Sequence, residues 1–342
     1  MDPSCIRTRR RPKAPRRGIR IAAWTTTVGL TAVGVVGCLL VAKLDGNHAS
    51  TDVDATLGAD RPAHTVAGAL NILLLGSDSR TGKNQEYGQD GGSARSDTAM
   101  LVHLGQGRTK AVVVSIPRDT MVERPACPLP GGGTSQAAGP TMFNTAYEAG
   151  GLPCAVKTVE RLSKVRIDHV IDVDFTGFKK LVTAIGGVKI TTDKAIHDKS
   201  SHLDLDAGTH HLNGEQALAL VRTRHGYGDG SDLGRIELQQ KFMAALVGEL
   251  RSSALLTDPV KLYKAADAAT SAITTDKGLD SAQDLLGLAR SLSGLKPSDI
   301  DFRTLPVGPY PQDPNRVSVK HPEADALWQA VRDDTAPPAK EK

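Results

Sequence analysis

An uncharged apolar run at residues 21–42 constrains this chain more than any other feature. As a helix, its 22 residues would extend about 33 Å, which is enough to cross the hydrocarbon core of a bilayer. Residues 1–20 carry eight basic side chains and one acid. Because lysine and arginine favour the cytoplasmic flank of membrane helices, the sequence predicts a single-pass protein of the plasma membrane. We expect its N-terminus to be cytoplasmic and the domain after the membrane helix to be extracytoplasmic.

A cleaved signal peptide is the alternative interpretation of this run. The run is longer than the apolar region of a usual signal peptide, and no clean small-residue cleavage site follows it. Trp24 lies near the cytoplasmic end, where aromatic side chains favour the membrane interface. These features favour a retained transmembrane helix at residues 21–42.

The charge distribution argues against nucleic acid as a partner. The whole chain has a net charge of +4, and residues 1–20 account for +7, so residues 21–342 sum to −3. The basic tail is short and has no DNA-binding fold. We therefore expect the membrane, and no nucleic acid, to be a partner.

Composition and pattern divide the remaining chain. Residues 43–68 are small and polar and are predicted to be a linker. Residues 69–334 are long enough for one large extracytoplasmic domain. Their apolar runs alternate with amphipathic helical patterns, which predicts a layered α/β fold. Two of the runs, at 98–104 and 110–116, predict a hairpin, so the sheet is expected to be mixed. Residues 335–342 are predicted to be disordered.

Charged residues gather at the ends of three predicted strands. Asp78 and Arg80 follow the first strand, Arg95 and Asp97 precede the second, and Arg118 and Asp119 follow the third. Sheets of α/β proteins commonly place their ligands at strand ends. The carboxylates of Asp78 and Asp97 suit Mg²⁺, a hard ion that is often shared with phosphates. Each Arg–Asp combination alone is equally compatible with a surface ion pair.

The segment at residues 220–240 adds more arginines. Arg222 and Arg224 precede a glycine-rich turn. A helix beginning near Ser231 is predicted to place three polar residues on one face and an apolar stripe, including Leu233 and Leu250, on the core side. Guanidinium groups bind phosphate or carboxylate, so this arrangement favours an anionic ligand, whereas a solvated helix face is the alternative. The three polar residues are Asp232, Arg235 and Gln239.

Cysteine spacing predicts one disulfide bond. Cys127 and Cys154 both lie in the predicted extracytoplasmic part, where disulfides persist, and they flank a loop rich in proline and glycine. Two free thiols are the alternative. Neither cysteine has metal-ligand spacing with a histidine, which argues against a zinc site.

Seven segments between residues 69 and 250 resemble, in order, those of the LytR-CpsA-Psr family. The resemblance implies a three-layer α/β/α domain with a central mixed sheet. It also implies a Mg²⁺-dependent phosphotransferase of Gram-positive cell-wall biogenesis. Such an enzyme moves a glycopolymer of teichoic acid, capsule or arabinogalactan type from a polyprenyl pyrophosphate carrier to peptidoglycan, forming a phosphodiester. The segments are NILLLGSDSR, RSDTAMLV, VVSIPRDT, FNTAYEAGG, IDVDFTGFKKLVTAIGGV, LNGEQALALVRTRH and DLGRIELQQ.

The resemblance assigns roles to the charged residues. Asp78 and Asp97 correspond to the metal-binding acids. The pyrophosphate-binding set is Arg80, Arg95, Arg118, Arg222, Arg224, Arg235 and Gln239. Arg118, Arg222 and Arg224 are also expected to act in catalysis. Either Asp119 or Asp232 could accept the proton of the attacking sugar hydroxyl, and the sequence leaves both open.

Two positions depart from the family pattern. Met142 stands where many members have a basic residue, and Leu238 where many have an arginine. A hydrolase that cleaves the same lipid pyrophosphate, and a non-enzymatic membrane-bound regulator of cell-wall genes, are the alternative functions. Phe175, Phe178 and Val182 could line a groove for the prenyl tail together with Ile185, but ordinary core packing is the favoured prediction for them.

Overall fold

The computed structural model describes residues 40–77, 96–129, 131–228, 232–252 and 258–340. Three predicted site residues, Asp78, Arg80 and Arg95, lie outside these residues, as does the predicted membrane helix up to residue 39. Residues 40–46 are helical. Within the described residues, none of the helices has the length and apolar character needed to cross a membrane. The predicted anchor therefore stays a prediction.

Strands and helices alternate along the described chain. In order, they are β1 (Ala49–Thr51), α1 (Val53–Leu57), β2 (Leu70–Ser77), β3 (Ser96–Leu104), β4 (Ala111–Ser115), β5 (Thr120–Arg124), β6 (Ala138–Met142), α2 (Thr145–Ser163), β7 (His169–Asp174), α3 (Phe175–Ala184), β8 (Val188–Thr192), β9 (Ile196–Asp198), β10 (Leu203–Leu205), β11 (Gly208–Leu212), α4 (Gly214–Arg222), α5 (Asp232–Ser252), α6 (Pro259–Ala272), β12 (Ile273–Asp276), α7 (Ala282–Leu292), β13 (Ile300–Thr304), β14 (Val307–Tyr310), β15 (Asp313–Val319) and α8 (Glu323–Arg332).

A seven-stranded sheet with the order β1-β12-β7-β2-β3-β4-β13 forms the centre of the molecule. The β2–β3 and β3–β4 pairs are antiparallel, whereas β2–β7 and β4–β13 are parallel. The sheet is therefore mixed, as the sequence predicted. Its middle strands are continuous apolar runs because both faces are covered, and Leu73, Leu101 and Val114 are fully buried.

Helices cover the two faces of this sheet with separate cores. On one face, α2 and α8 pack Val156, Val159 and Trp328 against the central strands. The other core lies among α3, α4 and α5 and includes Val182 and Phe242. The space between this second helical layer and the sheet contains the cavity described below.

A second sheet, with the order β14-β15-β5-β6, was not predicted. The central sheet reaches it through residues 116–119, because β4 ends at Ser115 and β5 begins at Thr120. A turn fixes this passage, since both the backbone N–H and the hydroxyl of Thr120 donate to the carbonyl of Pro117. The sheet is built from short strands that lie far apart in sequence, so no local pattern indicated it.

The disulfide between Cys127 and Cys154 ties the loop after β5 to α2, with the two Cα atoms 5.2 Å apart. Helix α2 begins at Thr145 and is interrupted at Gly150 and Gly151. A Cβ at Gly150 would lie 2.7 Å from the carbonyl oxygen of Pro128. Glycine therefore allows the helix to approach the disulfide-bonded loop.

The linker predicted at residues 43–68 is wrong for the described chain. β1 pairs with β12 at the edge of the central sheet, and Val53 and Leu57 on α1 are buried. The guanidinium of Arg61 is buried against the carboxylate of Glu160 on α2, with an Nη2–Oε1 distance of 2.7 Å. The segment escaped prediction because two apolar residues and one buried ion pair hold it, and these give no periodic signal.

The predicted disorder at residues 335–342 is also corrected where the chain is described. Arg303 donates a hydrogen bond to the carbonyl of Pro338, and the Lys340 ammonium lies 3.4 Å from a carboxylate oxygen of Asp301. The chain therefore still contacts the folded domain at residues 338 and 340, and the domain begins before residue 69.

Candidate functional site

The predicted site residues that the structure describes converge on one cavity of about 1050 Å³. They come from separate elements: the start of β3, the passage between β4 and β5, the end of α4 with the loop after it, and the first turns of α5. The residues that line the cavity are Asp97, Arg118, Asp119, Arg222, Arg224, Arg235 and Gln239. Asp232 lies behind them and contacts two of the arginines.

Asp97 and Arg118 form the central ion pair of the site, with 2.7 Å between Oδ1 and Nη1. Burial alone would raise the pKa of Asp97, but the guanidiniums of Arg118 and Arg235 outweigh it and hold that pKa below its usual range. Burial lowers the pKa of Arg118, and Asp97 more than offsets this. Both groups are therefore charged at neutral pH.

Arg235 is the most deeply buried cation of the site, at 3% exposure. It forms an ion pair with Asp232 one turn earlier on α5 and donates to the backbone carbonyl of Asp97. Burial lowers its pKa to about 10, against the opposing effect of Asp232. The guanidinium remains charged near neutral pH and is held in place from two sides.

The paired glutamines of α5 attach this helix to the sheet. Gln239 donates to the Thr98 hydroxyl and to the carbonyl of Val221, both at 3.0 Å. Gln240 donates to the Ser115 hydroxyl and to the carbonyl of Arg303. Gln239 therefore positions α5 as well as facing the cavity.

The loop after α4 is held by a carboxylate that sequence reasoning did not single out. Asp198 is buried and accepts the backbone N–H groups of Arg224 and His225 at 2.9 and 3.0 Å. Burial alone would raise its pKa, but hydrogen bonds from Ser200 and from this loop outweigh burial and lower the pKa. Asp198 thereby fixes the backbone from which Arg224 extends.

Arg222 lies at the boundary between the polar and apolar parts of the cavity. Its guanidinium carbon is 4.8 Å from the centre of the Phe175 ring, which is a cation–π geometry. From Phe175 onward the lining is mostly apolar and comes from the sheet and from α3 to α7. Core packing was the favoured prediction for these apolar residues, and Val182 and Ile185 do lie in the core among α3, α4 and α5, with Phe178 packed against it. Phe175, Phe178 and Val182 also line the cavity.

Helix α5 runs along the cavity, which corrects part of the two-faced helix predicted from the sequence: Ile236 is buried as expected, but other assignments differ. Arg235 and Gln239 line the polar end, and Leu246 and Leu250 line the apolar part of the same cavity. From Arg235 to Leu250 a helix rises about 22 Å. Leu233, assigned to the core-facing stripe, is 44% exposed. The polar row is buried rather than solvated because the neighbouring strands cover it.

Two further residues line the polar end and were missed by sequence reasoning. Arg316 extends from β15 and lies 3.5 Å from the carboxylate of Asp119. Asn144, next to the start of α2, is 4% exposed, and its side-chain oxygen has no hydrogen-bond partner within the described residues. Asn144 falls within one of the seven segments and could have been singled out, whereas Arg316 lies outside all of them.

The donor set partly fits a hard cation. Among the described residues, no three His, Cys, Asp or Glu side chains are grouped to hold a metal. Asp97 uses Oδ1 for Arg118, which leaves Oδ2 for an ion, and oxygen ligands of this kind suit Mg²⁺. Asp78, the other predicted ligand, lies outside the described residues.

The LytR_cpsA_psr family model matches residues 40–333, most of the chain. The chain belongs to the LytR_cpsA_psr family. The match begins at residue 40, so it includes the segment predicted as a linker, in agreement with the buried contacts of β1, α1 and Arg61.

Several proteins similar to this chain are named for cell-wall biosynthesis. The cell wall biosynthesis protein LcpA of Corynebacterium glutamicum is 31% identical over 319 residues, which are 84% of this chain and 59% of that protein. The polyisoprenyl-teichoic acid–peptidoglycan teichoic acid transferase TagT of Bacillus subtilis is 31% identical over 257 residues, 71% of this chain and 74% of TagT. The crystal structure of B. subtilis TagV superposes with a TM-score of 0.61 at 26% identity, covering 80% of this chain and all of the TagV chain.

Proposed function

We propose that this protein transfers a cell-wall glycopolymer from a polyprenyl pyrophosphate carrier to peptidoglycan, leaving a phosphodiester link. The observation that carries the proposal is a single cavity with arginines at one end and an apolar lining at the other. Such a cavity is complementary to an amphiphile with an anionic head and a long hydrocarbon tail. The names of TagT and TagV support the same substrate class.

The arginines would supply most of the catalytic effect. In phosphoryl transfer the protein mainly positions the reacting groups and stabilises charge. Arg118, Arg222 and Arg224 line the polar end beside the buried Arg235. Fixed cations in a site that excludes water stabilise charge that develops on the departing lipid phosphate. Because Asp97, Asp198 and Asp232 hold these groups in advance, little reorganisation is needed.

Asp119 is the better candidate for the general base. Its carboxylate lines the cavity, whereas Asp232 lies behind Arg235 and does not line it. Asp119 would accept the proton of a sugar hydroxyl as that oxygen attacks the phosphorus on the glycan side. The lipid phosphate would then leave toward the arginines.

A variant pair tests this assignment. We expect Asp119→Asn to lower kcat by about 10²- to 10⁴-fold, the usual contribution of general-base catalysis. Asp232→Asn is expected to act mainly through Arg235 and to alter stability as well. Single-turnover rates over a pH series would separate the two, and a normal rate in Asp119→Asn would exclude Asp119 as the base.

Mg²⁺ is part of the proposal. Asp97, with Asp78, would hold the ion next to the pyrophosphate. When bound, the ion would neutralise phosphate charge in the ground state and in the transition state. A membrane anchor at residues 21–42 would keep the site close to its lipid substrate and raise the effective concentration.

The decisive experiment compares products. The full-length protein is incubated with radiolabelled lipid-linked glycan and peptidoglycan. A transferase yields a covalent glycan–peptidoglycan conjugate, whereas a hydrolase yields only free phosphorylated glycan. We expect Arg118→Ala and Arg222→Ala to abolish the conjugate while the far-ultraviolet circular dichroism stays unchanged. Wild-type turnover in either variant would contradict the site assignment.

A further inference from the structure

Arg316 brings a cation into the cavity from a part of the chain outside every sequence motif. It lies on β15, after the last family-like segment has ended, and it lines the same cavity as Arg118 and Arg224. Its side chain is 31% exposed, compared with 20% for Arg118. Arg316 is therefore more accessible from solvent than the arginine at the centre of the site.

The strand register of the second sheet, β14-β15-β5-β6, explains why Arg316 faces the site. β15 pairs with β5 in parallel, with Val317 opposite Thr120 and Ser318 opposite Met121. This register puts Arg316 beside Asp119, and the backbone N–H of Val317 donates to the carbonyl of Asp119. The side chains of both residues therefore leave the sheet on the same face.

Strand β6, on the other side of β5, adds further residues to this face of the second sheet. β6 pairs with β5 so that Met142 lies opposite Met121, and the backbone N–H of Asn144 donates to the carbonyl of Arg118. Both Met142 and Asn144 line the cavity. Met142 is one of the two positions at which the chain departs from the family pattern. Arg316 thus supplies positive charge on the face of the sheet where residue 142 supplies none.

The ion-pair geometry leaves Arg316 able to take a ligand. Its Nη1 lies 3.5 Å from Asp119 and its Nε 3.6 Å from Asp313, both at the long end of ion-pair distances. Asp119 is shared, because its other oxygen lies 3.4 Å from Nε of Arg118. Phosphate oxygens would form shorter, charge-assisted hydrogen bonds with the same guanidinium.

The position of Arg316 relative to the apolar lining indicates which phosphate it meets. The apolar part of the cavity begins beside Arg222 and Phe175 and is built by the central sheet and the helices. The second sheet contributes Met142 and Arg316 at the polar end of the cavity. A lipid phosphate next to the apolar lining would meet Arg222, and the next phosphate outward would lie closer to Arg316.

Resting on the proposed function, we infer that Arg316 binds the phosphate farther from the lipid, the one that carries the glycan. It is thus a further substrate-binding residue of the reaction. It distinguishes a lipid diphosphate from the lipid monophosphate product, because the monophosphate has no second phosphate to reach it.

The test measures binding of two probes to the full-length protein in detergent micelles by calorimetry. The probes are geranylgeranyl diphosphate and geranylgeranyl monophosphate. We expect Arg316→Gln to weaken the diphosphate about tenfold, as for the loss of one charge-assisted hydrogen bond, and to change the monophosphate less than about twofold. Arg124→Gln is the matched control, because Arg124 lies on β5 of the same sheet, bonds to Ser135 and does not line the cavity.

The same measurement in a protein that also carries Asp119→Asn shows whether Arg316 binds the phosphate directly or acts by positioning Asp119. If Arg316 touches the phosphate, Arg316→Gln still weakens the diphosphate when Asp119 is replaced by asparagine. An effect that disappears in Asp119→Asn, an equal loss for both probes, or an unchanged diphosphate affinity would overturn the inference while leaving the proposed function in place. Failure of the wild-type protein to bind either probe would instead contradict the proposed function itself.

Discussion

Two carboxylates near the site lie in opposite electrostatic surroundings. Asp97 faces guanidiniums, which keep it ionised. Asp172 lies on the face of β7 that is turned away from the cavity, and it is buried. It accepts hydrogen bonds from Tyr147 and Ser77 but faces no cation within the described residues. Burial raises the pKa of Asp172 to about 6. The hydrogen bonds that Asp172 accepts do not offset the desolvation of its charged form.

This pKa predicts a pH dependence of stability. The folded protein holds the Asp172 proton more tightly than the unfolded chain, whose aspartate pKa is about 3.9. Folding stability therefore falls as pH rises from about 4 to about 6, and the cost is fully present above that range. Between about pH 5 and about pH 7.5 we expect Asp172 to lower the free energy of unfolding by about 1 kcal/mol.

Asp172→Asn tests the effect, because asparagine keeps an acceptor oxygen for Tyr147 and Ser77 and cannot ionise. Urea unfolding of the wild-type protein and the variant at the two pH values isolates the contribution of this group. The same pH slope in both proteins would show that Asp172 does not titrate in this range.

At the scale of elements, the disulfide joins the middle of α2 to the loop after β5. The two cysteines are 27 residues apart in sequence. Closing a loop of this length restricts the unfolded chain and is worth about 3 kcal/mol. We expect Cys127→Ser with Cys154→Ser to lower the free energy of unfolding by about that amount, measured by denaturant unfolding.

The wild-type protein under reducing conditions is the control for this variant pair. It should lose a similar amount of stability, whereas the double variant should be insensitive to reductant. A double variant as stable as the oxidised protein would show that packing around Gly150 alone holds the loop.

At the scale of the whole molecule, the first described residues close one edge of the domain. Starting the chain at residue 69 would remove β1, α1 and Arg61. Glu160, whose carboxylate is buried and also accepts the backbone N–H of Ile167, would then lose its cation. Breaking a buried ion pair costs about 3–5 kcal/mol, a large part of the stability of a typical domain.

We therefore expect a chain starting at residue 69 to unfold at much lower urea concentration than one starting at residue 40. Arg61→Met in the longer chain isolates the ion pair and should account for about 3–5 kcal/mol of the difference. Equal unfolding midpoints for the two chains would mean that β1 and α1 contribute nothing to the fold.

Local pattern was sufficient for most elements that surround the site. The first predicted strand, which precedes Asp78, is β2, and the predicted hairpin is β3 with β4. The capping box of α4, in which Asn213 and Gln216 bond to each other's backbone N–H groups, is present. These features depend on residues within a few positions of each other, so the local sequence is enough to predict them.

The amino-acid sequence by itself determined the alternation of buried strands and helices and the residue types available for an anionic ligand. Only the tertiary structure decided that α5 buries Arg235 and Gln239, that Asp198 holds the loop of Arg224, and that Arg316 enters the cavity. Each of these depends on strands that pair across a long stretch of chain, or on a charge that is buried because a partner far away in sequence compensates it. Partners that are distant in sequence do not change the local pattern of apolar and polar residues, so this pattern cannot predict them.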